Sequence, residues 1–545
     1  MQNRPFSILA IAMLLTGCAS APSGLSNVDP EDLDDGMAVE DGKADDFLSL
    51  SAREFRVSGT SRVTLESNFA NQTEAHRLAR VNELIAMKQI QFAYFLTSFL
   101  IEKEKKDPNF GFGGQGGLSK VGDYEQSHVH AIDNLTYEFD FSQVIAGRSN
   151  MIALLDTTRR GGKDYFTVTM GTPTNEELAE LETDAQWFRQ APWKDWNPTR
   201  VAAEQKQDVE LEIALEPASS DAWFDYNALF DDGRLTIDVH FGYDYHNAYH
   251  RKHPRKLFYW LRDDMGFTAP VRTFDDLTRS SGAFTRSINV NGNEAMIEIR
   301  IFYPKDGPAT DPDTAAGGRQ LEADVRDSLA HSDVIVWSGH SGPFYGFALA
   351  NWKRTSEGDL SYEELASVQM PADQYQIIYA DGCDTYHMGE AFRQNPNKPD
   401  GSLLDIITST TFADGDYPYT TMNFISHMVE QDSRGHHRPR TLTRLLGDLR
   451  TATYSDAMYG IHGVDDDPRL HPYANLDLMC TSCSSSAQCG DGSVCASIGR
   501  SGRHCVPACT ASDACPDDSE CRPIASSSSR AIYTSACVPN NFRCE

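Results

Sequence analysis

Two segments of this sequence end in side chains that can act together as a nucleophile and a base. In the first, the apolar run 334–337 is followed by Ser-Gly and then His340. In the second, the apolar run 377–380 is followed by Asp-Gly and then Cys383. An imidazole beside a thiol can take the thiol proton and later return it to a leaving group. The pattern predicts a thiolate nucleophile at Cys383, with His340 as its general base and acid.

Small residues surround both of these side chains. Ser341 and Gly342 follow the histidine, and Gly382 precedes the cysteine. Such residues let backbone N–H groups approach a substrate carbonyl closely, as an oxyanion hole requires. We expect this hole to use the N–H of Cys383 and an N–H at Ser341 or Gly342.

Cys383 also stands apart from the other cysteines. Of the 12 in the chain, one is Cys18 and ten lie between 480 and 544, which leaves Cys383 in the body of the chain. A buried structural cysteine is the alternative interpretation. Because a leftover thiol in an exported protein is a candidate reactive group, and because the His340 segment is also present, we favour the catalytic interpretation.

The region around these segments alternates strands and helices from about residue 234. The predicted elements are a strand at 235–243, a helix at 254–265 with Pro254 in its first turn, a hairpin at 288–302 and a helix at 319–331. This order is typical of an α/β fold, in which a mostly parallel sheet has helices on both faces. Functional residues then gather at the carboxyl ends of the strands, where His340 and Cys383 would meet.

The two segments resemble the histidine and cysteine blocks of the caspase-like (clan CD) peptidases. Ser-Gly-His at 338–340 and Asp-x-Cys at 381–383 are most similar to metacaspase- and gingipain-type members, and the histidine precedes the cysteine by 43 residues. The resemblance covers about 235–460. It implies a caspase-like domain, placed at 231–470, and a cysteine endopeptidase that uses a dyad of His340 and Cys383.

The resemblance also implies a substrate preference. In metacaspases the aspartate two positions before the cysteine lies in the S1 pocket, and Asp381 holds that position here. A carboxylate there favours Arg over Lys through paired hydrogen bonds, so we expect protein or peptide substrates to be cleaved after Arg or Lys. Asp244, just after the first strand of the domain, is a second candidate S1 carboxylate.

The sequence departs from the family pattern at two positions. Ser341 follows the histidine where glycine is usual, and Asp384 follows the cysteine where metacaspases have histidine. An adjacent carboxylate disfavours the thiolate. A non-catalytic binding or adhesion lipoprotein with a lapsed peptidase domain is therefore the alternative function.

The first residues indicate export. Arg4 precedes the apolar run 5–15, and Leu-Thr-Gly leads directly to Cys18. This resembles a bacterial lipoprotein signal (1–18) in which Cys18 receives the lipid; an ordinary secretory signal cleaved near Ala19 or Ala21 is the alternative. The lipid anchor would be the one contact with the membrane. Alanine at position 19, in place of aspartate, favours the outer membrane of the cell envelope.

Composition and charge limit the possible partners. The chain has 48 basic and 79 acidic residues, a formal charge of −31, which disfavours nucleic acid as a partner. Residues 19–47 are acidic and predict a solvated tether. Residues 48–230 combine a long helix at 73–106 with several strands, which predicts an α+β accessory domain without a recognisable chemical motif.

The C-terminal segment 478–545 is a cysteine-rich tandem repeat. It is too short and too poor in large apolar residues to fold on a hydrophobic core, so five disulfides are expected in an oxidising compartment. Zinc is the alternative, because Cys480-x-x-Cys483 has ligand spacing. The ten residues assigned to disulfides are Cys480, Cys483, Cys489, Cys495, Cys505, Cys509, Cys515, Cys521, Cys537 and Cys544.

Four histidines at 240, 246, 250 and 253 suggest a metal site at first sight. No H-E-x-x-H motif accompanies them, so we expect neither a metal ion nor another cofactor.

Overall fold

A computed structural model describes most of the chain beyond the N-terminal segment. It covers residues 47–106, 118–119, 124–179, 190–342, 346–413, 417–452, 458–499, 502–524 and 535–544. The proposed lipid-bearing Cys18 and the acidic tether lie outside the described residues, so the expectations about them stay predictions.

The strands are numbered in chain order. They are β1 Leu48–Ser49, β2 Ala52–Thr64, β3 Leu118–Ser119, β4 Val129–Ala131, β5 Thr136–Arg148, β6 Thr158–Arg160, β7 Lys163–Gly171, β8 Lys206–Leu215, β9 Arg234–Phe241, β10 Phe284–Val290, β11 Asn293–Phe302, β12 Val334–Gly339, β13 Ser341–Gly342, β14 Gly346–Ala348, β15 Asp359–Leu360, β16 Gln376–Gly382, β17 Leu404–Ser409, β18 Tyr459–His462, β19 Ser493–Ser497, β20 Arg503–Pro507, β21 Ser519–Pro523 and β22 Ser535–Pro539.

The α-helices are numbered in the same way. They are α1 Glu74–Glu104, α2 Met151–Leu154, α3 Asn175–Leu178, α4 Tyr226–Leu229, α5 Tyr249–Tyr259, α6 Ala315–His331, α7 Tyr362–Ser367, α8 Tyr386–Arg393, α9 Tyr419–Met428 and α10 Leu442–Ala452.

A mixed eight-stranded sheet forms the centre of the molecule, in the order β1-β18-β17-β16-β12-β9-β11-β10. The five strands from β17 to β11 run parallel, and antiparallel strands complete both edges. The prediction of an α/β fold with a sheet flanked by helices is confirmed; the sheet is mixed, and its parallel part is the five central strands. The apolar runs of β12 and β16 are buried on both faces, as expected for strands that lie between two layers of helices.

Two apolar layers pack on this sheet. One contains side chains of α5, α9 and α10, and the other contains side chains of α6, α7 and α8. Residues that precede the predicted domain boundary at 231 also belong to this core: β1 pairs with β18 at the sheet edge, and Trp223 N–H donates to Pro468 O (3.0 Å). The central fold therefore includes segments that come before and after the accessory sheet in the sequence.

The helix predicted at 254–265 has different bounds. It begins at Tyr249, and its regular turns end at Tyr259, where a π-helical turn follows over Trp260–Asp264. Pro254 therefore lies inside the helix. The Asp244 carboxylate accepts a hydrogen bond from the backbone N–H of Tyr249 (3.1 Å). This contact, and not Pro254, marks the start of the helix.

The accessory region forms an antiparallel sheet, in the order β3-β5-β2-β8-β7-β6, with β4 paired to β5. Helix α1 packs across it and buries Phe92, Phe95 and Leu96 in a separate core. Burial of each such side chain contributes roughly 1.5–3 kcal/mol. Among the described residues α1 is the one helix long and apolar enough to cross a membrane, and half of its most apolar window is buried inside the fold.

The C-terminal module contains the five expected disulfides. They join Cys480 to Cys544, Cys483 to Cys495, Cys489 to Cys505, Cys509 to Cys521 and Cys515 to Cys537. Each repeat links its first cysteine to its third and its second to its fourth. All ten thiols are thereby used, which rules out the zinc alternative for these residues.

A pair of buried carboxyl groups lies beside β17. Asp405 and Asp467 are 1% and 6% exposed, and Tyr375 OH donates to Asp405 and, at 3.4 Å, to Asp467 Oδ1. Burial and the neighbouring Asp405 charge raise the pKa of Asp467 well above its usual value. The folded protein therefore retains a proton here that the unfolded chain releases near pH ~4.

We predict that Asp467→Asn reduces the loss of stability on raising the pH. A raised carboxyl pKa contributes stability that is complete below the unfolded pKa and is lost as the pH rises through the folded pKa. As the pH rises above the unfolded pKa of ~4, the wild-type free energy of unfolding should therefore fall more steeply than that of the variant, by up to about 1.4 kcal/mol per pH unit. Asp477→Asn, at an exposed aspartate that does not contribute to the shift, is the control; equal slopes in both variants would contradict the assignment.

Candidate active site

His340 and Cys383 follow two strands that pair directly. Strands β12 and β16 are parallel, and Gly339 lies opposite Gly382 in their register. His340 and Cys383 directly follow this last pair, so their backbones leave the sheet at the same edge, where neighbouring strands lie about 4.8 Å apart. Ser341 Oγ donates to Cys383 O at 2.9 Å, which joins the two strand ends. The structure thus places both residues that the sequence selected at one edge of the sheet.

The approach of these strand ends depends on glycine at 382. A Cβ atom at this position would lie 2.0 Å from Ser341 Oγ and 2.9 Å from Gly339 O. Both distances are too short for non-bonded atoms. Any side chain at 382 would therefore separate Cys383 from the histidine strand.

Asp244 holds the imidazole of His340. Its Oδ1 lies 3.0 Å from His340 Nε2. It comes from the loop between β9 and α5, and its carboxylate also accepts the backbone N–H groups of His246 (3.3 Å), Asn247 (2.8 Å) and Tyr249 (3.1 Å). The expectation that Asp244 binds a substrate cation is thus not supported, because its oxygens already have donors within the protein.

These contacts keep Asp244 ionised. Burial raises its pKa, but the hydrogen bonds from His340 and the three backbone N–H groups outweigh burial, and the pKa lies well below its usual value. A carboxylate that accepts from Nε2 fixes the proton on that nitrogen. Nδ1 of His340 is then the basic nitrogen, and a proton taken there would produce an imidazolium stabilised by Asp244.

Aromatic rings support the other faces of the histidine. Tyr245 stacks on His340 with centroids 4.8 Å apart, and His246 meets it edge-on at 5.6 Å. Trp352 lies edge-on to Tyr245 at 6.2 Å. Sequence reasoning did not identify this aromatic wall, and the one available signal was the Tyr-His pair that directly follows Asp244.

Cys383 is half-buried and is not part of a disulfide. Its Sγ lies 3.9 Å from Ala413 O, in the segment after β17.

The hydrogen-bond pattern between β13 and β14 favours the backbone N–H of Ser341, over that of Gly342, as a donor to the expected oxyanion hole. Ala348 N–H donates to His340 O (3.0 Å), so the alternation of an antiparallel pair turns the Ser341 N–H away from β14 and the Gly342 N–H toward it.

Asp381 is part of the core beside the site. Its Oδ2 accepts hydrogen bonds from Thr420 Oγ1 (2.6 Å) and Thr421 Oγ1 (3.0 Å), and its Oδ1 accepts one from Tyr459 OH (2.7 Å). It is 7% exposed, and burial raises its pKa against the effect of these hydroxyls. These contacts favour a structural role, in which Asp381 joins β16 to α9 and β18, over the S1 role expected from the resemblance.

Asp384 has a different environment from the other two carboxylates. Its backbone is in the left-handed region (φ 54°), and its N–H donates to Thr411 O at 3.0 Å. Burial raises the pKa of its carboxyl to about 7. Below that pH the carboxyl is mostly neutral. The charge repulsion that the sequence predicted between Asp384 and a Cys383 thiolate is then weaker.

The four histidines considered for metal binding make separate contacts. His240 Nε2 lies 2.9 Å from Ser328 Oγ, Asp244 N–H donates to His250 Nδ1 (3.2 Å), His253 stacks on Tyr249, and His246 is exposed beside His340. Burial lowers the pKa of His240 to about 4. These histidines do not converge on one point.

One other described cluster has metal-binding ligand types, namely Asp432, His436 and Asp491, whose ligand atoms lie within 4.8 Å of one another. The Arg434 guanidinium joins both of its carboxylates, at 2.8 and 2.6 Å. The cluster thus already contains a cation of its own, and it links the central α/β region to the cysteine-rich module.

The accessory region contacts the segment that follows Cys383. Tyr386, three residues after Cys383, donates its hydroxyl hydrogen bond to the buried Glu54 of β2. Phe47 packs against the Tyr386 ring at 5.6 Å. The residues before and within the accessory sheet therefore help to position the start of α8.

No protein-family model matches the chain, and neither a curated protein nor a solved structure matches it.

We predict that Asp244→Asn slows alkylation of Cys383. Loss of the carboxylate removes the charge that stabilises the imidazolium, and a hydrogen bond to a charged group contributes about 1.5–3 kcal/mol, so iodoacetamide should react about 10- to 100-fold more slowly at neutral pH. Asp306→Asn, at an exposed aspartate, is the control. An unchanged rate in Asp244→Asn would show that the carboxylate does not act on the thiol.

We also predict that Gly382→Ala destabilises the protein and slows the same alkylation. Overpacking of this kind costs about 1–3 kcal/mol, measurable by urea unfolding. Adding Ser341→Gly removes the nearest clashing atoms and should restore part of the loss. Gly447→Ala is the matched control, because its Cβ would meet its nearest atom at 3.9 Å. Equal stability of the two alanine variants would contradict the proposed steric constraint.

Proposed function

We propose that this chain is a cysteine endopeptidase of the caspase-like type, with Cys383 as nucleophile and His340 as general base and acid. The observation that carries the proposal is the parallel register of β12 and β16, which sets both residues at one sheet edge. The Asp244–His340 hydrogen bond adds a third group of the kind that orients a catalytic imidazole.

The proposed reaction proceeds in two steps. His340 Nδ1 takes the proton of Cys383, Sγ attacks the substrate carbonyl carbon, and the backbone N–H groups of Cys383 and Ser341 stabilise the oxyanion. His340 then returns the proton to the leaving amine as the peptide bond breaks. Water, deprotonated by the same imidazole, hydrolyses the thioester and releases the acid and the free thiol.

We further propose that the enzyme acts at the bacterial cell envelope, held to the membrane by lipid on Cys18, with the outer membrane preferred. A lipid-bearing cysteine followed by an acidic tether would keep the peptidase near the membrane yet free to meet protein substrates. The disulfides of the C-terminal module suit an oxidising compartment. The formal charge of −31 disfavours contact with anionic lipid surfaces or nucleic acid.

We expect Cys383→Ala and His340→Ala each to abolish cleavage of an Arg-containing peptide by the purified chain. The first substitution removes the nucleophile and the second removes its base, so kcat/KM should fall by at least ~100-fold. His331→Ala, whose side chain is 69% exposed, is the matched control and should retain the wild-type rate.

Circular dichroism and Tm measurements would establish that each variant remains folded. Wild-type activity in either site variant would refute the dyad. Sluggish alkylation of Cys383 that does not depend on His340, together with no cleavage by the wild type, would favour the non-catalytic binding protein.

A further inference from the structure

The carboxylate of Asp384 lacks the partners that the neighbouring carboxylates have. Asp244 accepts hydrogen bonds from an imidazole and three backbone N–H groups, and Asp381 accepts three from hydroxyls. Asp384 Oδ1 is shielded from solvent and has no hydrogen-bond partner among the described residues. Buried polar groups in proteins are nearly always hydrogen-bonded. This oxygen can therefore still accept a hydrogen bond from a donor.

Asp384 is also next to the proposed reaction centre. It follows Cys383 directly, its N–H donates to Thr411 O at 3.0 Å, and Ala413 O lies 3.9 Å from Cys383 Sγ. One short segment therefore flanks both the thiol and the carboxylate. Asp384 as a residue is partly exposed, so it lies at the surface of the fold beside Cys383 and is not sealed in the core.

A cationic partner suits this group best when its carboxyl is ionised. Burial raises the pKa of Asp384 to about 7, and no charge among the described residues contributes to this shift. A guanidinium or ammonium group supplies both the hydrogen-bond donors and the compensating charge. In the proposed peptidase, a basic side chain of the substrate would bring such a group to the site with each turnover.

We propose that Asp384, and not Asp381, binds the basic side chain of the substrate residue that supplies the scissile carbonyl. This inference rests on the proposed peptidase function, and what it adds is the residue: it assigns to Asp384 the preference for Arg or Lys that the resemblance implies. The bound cation also neutralises the carboxylate next to Cys383. The substrate thereby removes the charge that would otherwise oppose the thiolate.

The test compares two peptides that differ only in charge, one with Arg and one with citrulline before the scissile bond. For the wild type, kcat/KM should favour Arg. In Asp384→Asn the ratio of the two kcat/KM values should fall about 10- to 100-fold, the range expected when a charged hydrogen bond is lost. Asn also tolerates the left-handed backbone at this position. Asp384→Glu keeps the charge and should recover part of the preference.

Asp381→Asn is the matched control, because it changes the carboxylate that the family resemblance favours. It should leave the Arg-to-citrulline ratio within about twofold of the wild type. A wild type that does not distinguish the two peptides would overturn the inference, as would loss of selectivity in Asp381→Asn but not in Asp384→Asn. Either result leaves the peptidase function standing.

Binding without turnover separates this inference from the proposed function. A short peptide amide ending in Arg should protect Cys383 from iodoacetamide more strongly than its citrulline analogue, and Asp384→Asn should abolish the difference. If the wild type cleaves no peptide but shows this protection, the peptidase proposal fails and Asp384 remains a cation-binding residue. Equal protection by both amides would overturn the assignment of Asp384.

Discussion

The register between β12 and β16 is the constraint on which the site depends. Gly339 lies opposite Gly382, so the histidine and the cysteine leave the sheet side by side. A shift of one residue would turn one of the two side chains to the other face, because side chains alternate along a strand. The close contact of Gly382 with Ser341 adds steric selection for this register at the point where the chemistry is proposed.

Three carboxylates beside the site illustrate how environment determines role. Asp244 is held by donors and stays ionised, Asp381 is enclosed by hydroxyls in the core, and Asp384 is shielded with an oxygen that has no partner. The residue type is the same in each case. What differs is the number of donors and their charge, and these determine whether the group orients a base, joins elements or is available to a cation.

The accessory sheet and the disulfide module both form hydrogen bonds with the central fold. The hydrogen bond between Tyr386 and Glu54 connects the accessory sheet to α8, the helix that follows Cys383. Arg434 and His436 connect the opposite part of the domain to Asp491 in the disulfide module. Both flanking regions therefore pack against the central fold and are more than appended segments.

The sequence alone was sufficient for the alternating strand and helix pattern, the strand tips at His340 and Cys383, and the disulfide-rich tail, because these follow from local periodicity and cysteine count. It could not assign the separate roles of Asp244, Asp381 and Asp384. Asp244 and His340 are 96 positions apart, and the hydroxyls that enclose Asp381 come from α9 and β18. Only the packing of distant segments decides which donors reach a carboxylate, and donor geometry, unlike strand periodicity, leaves no repeat in the sequence.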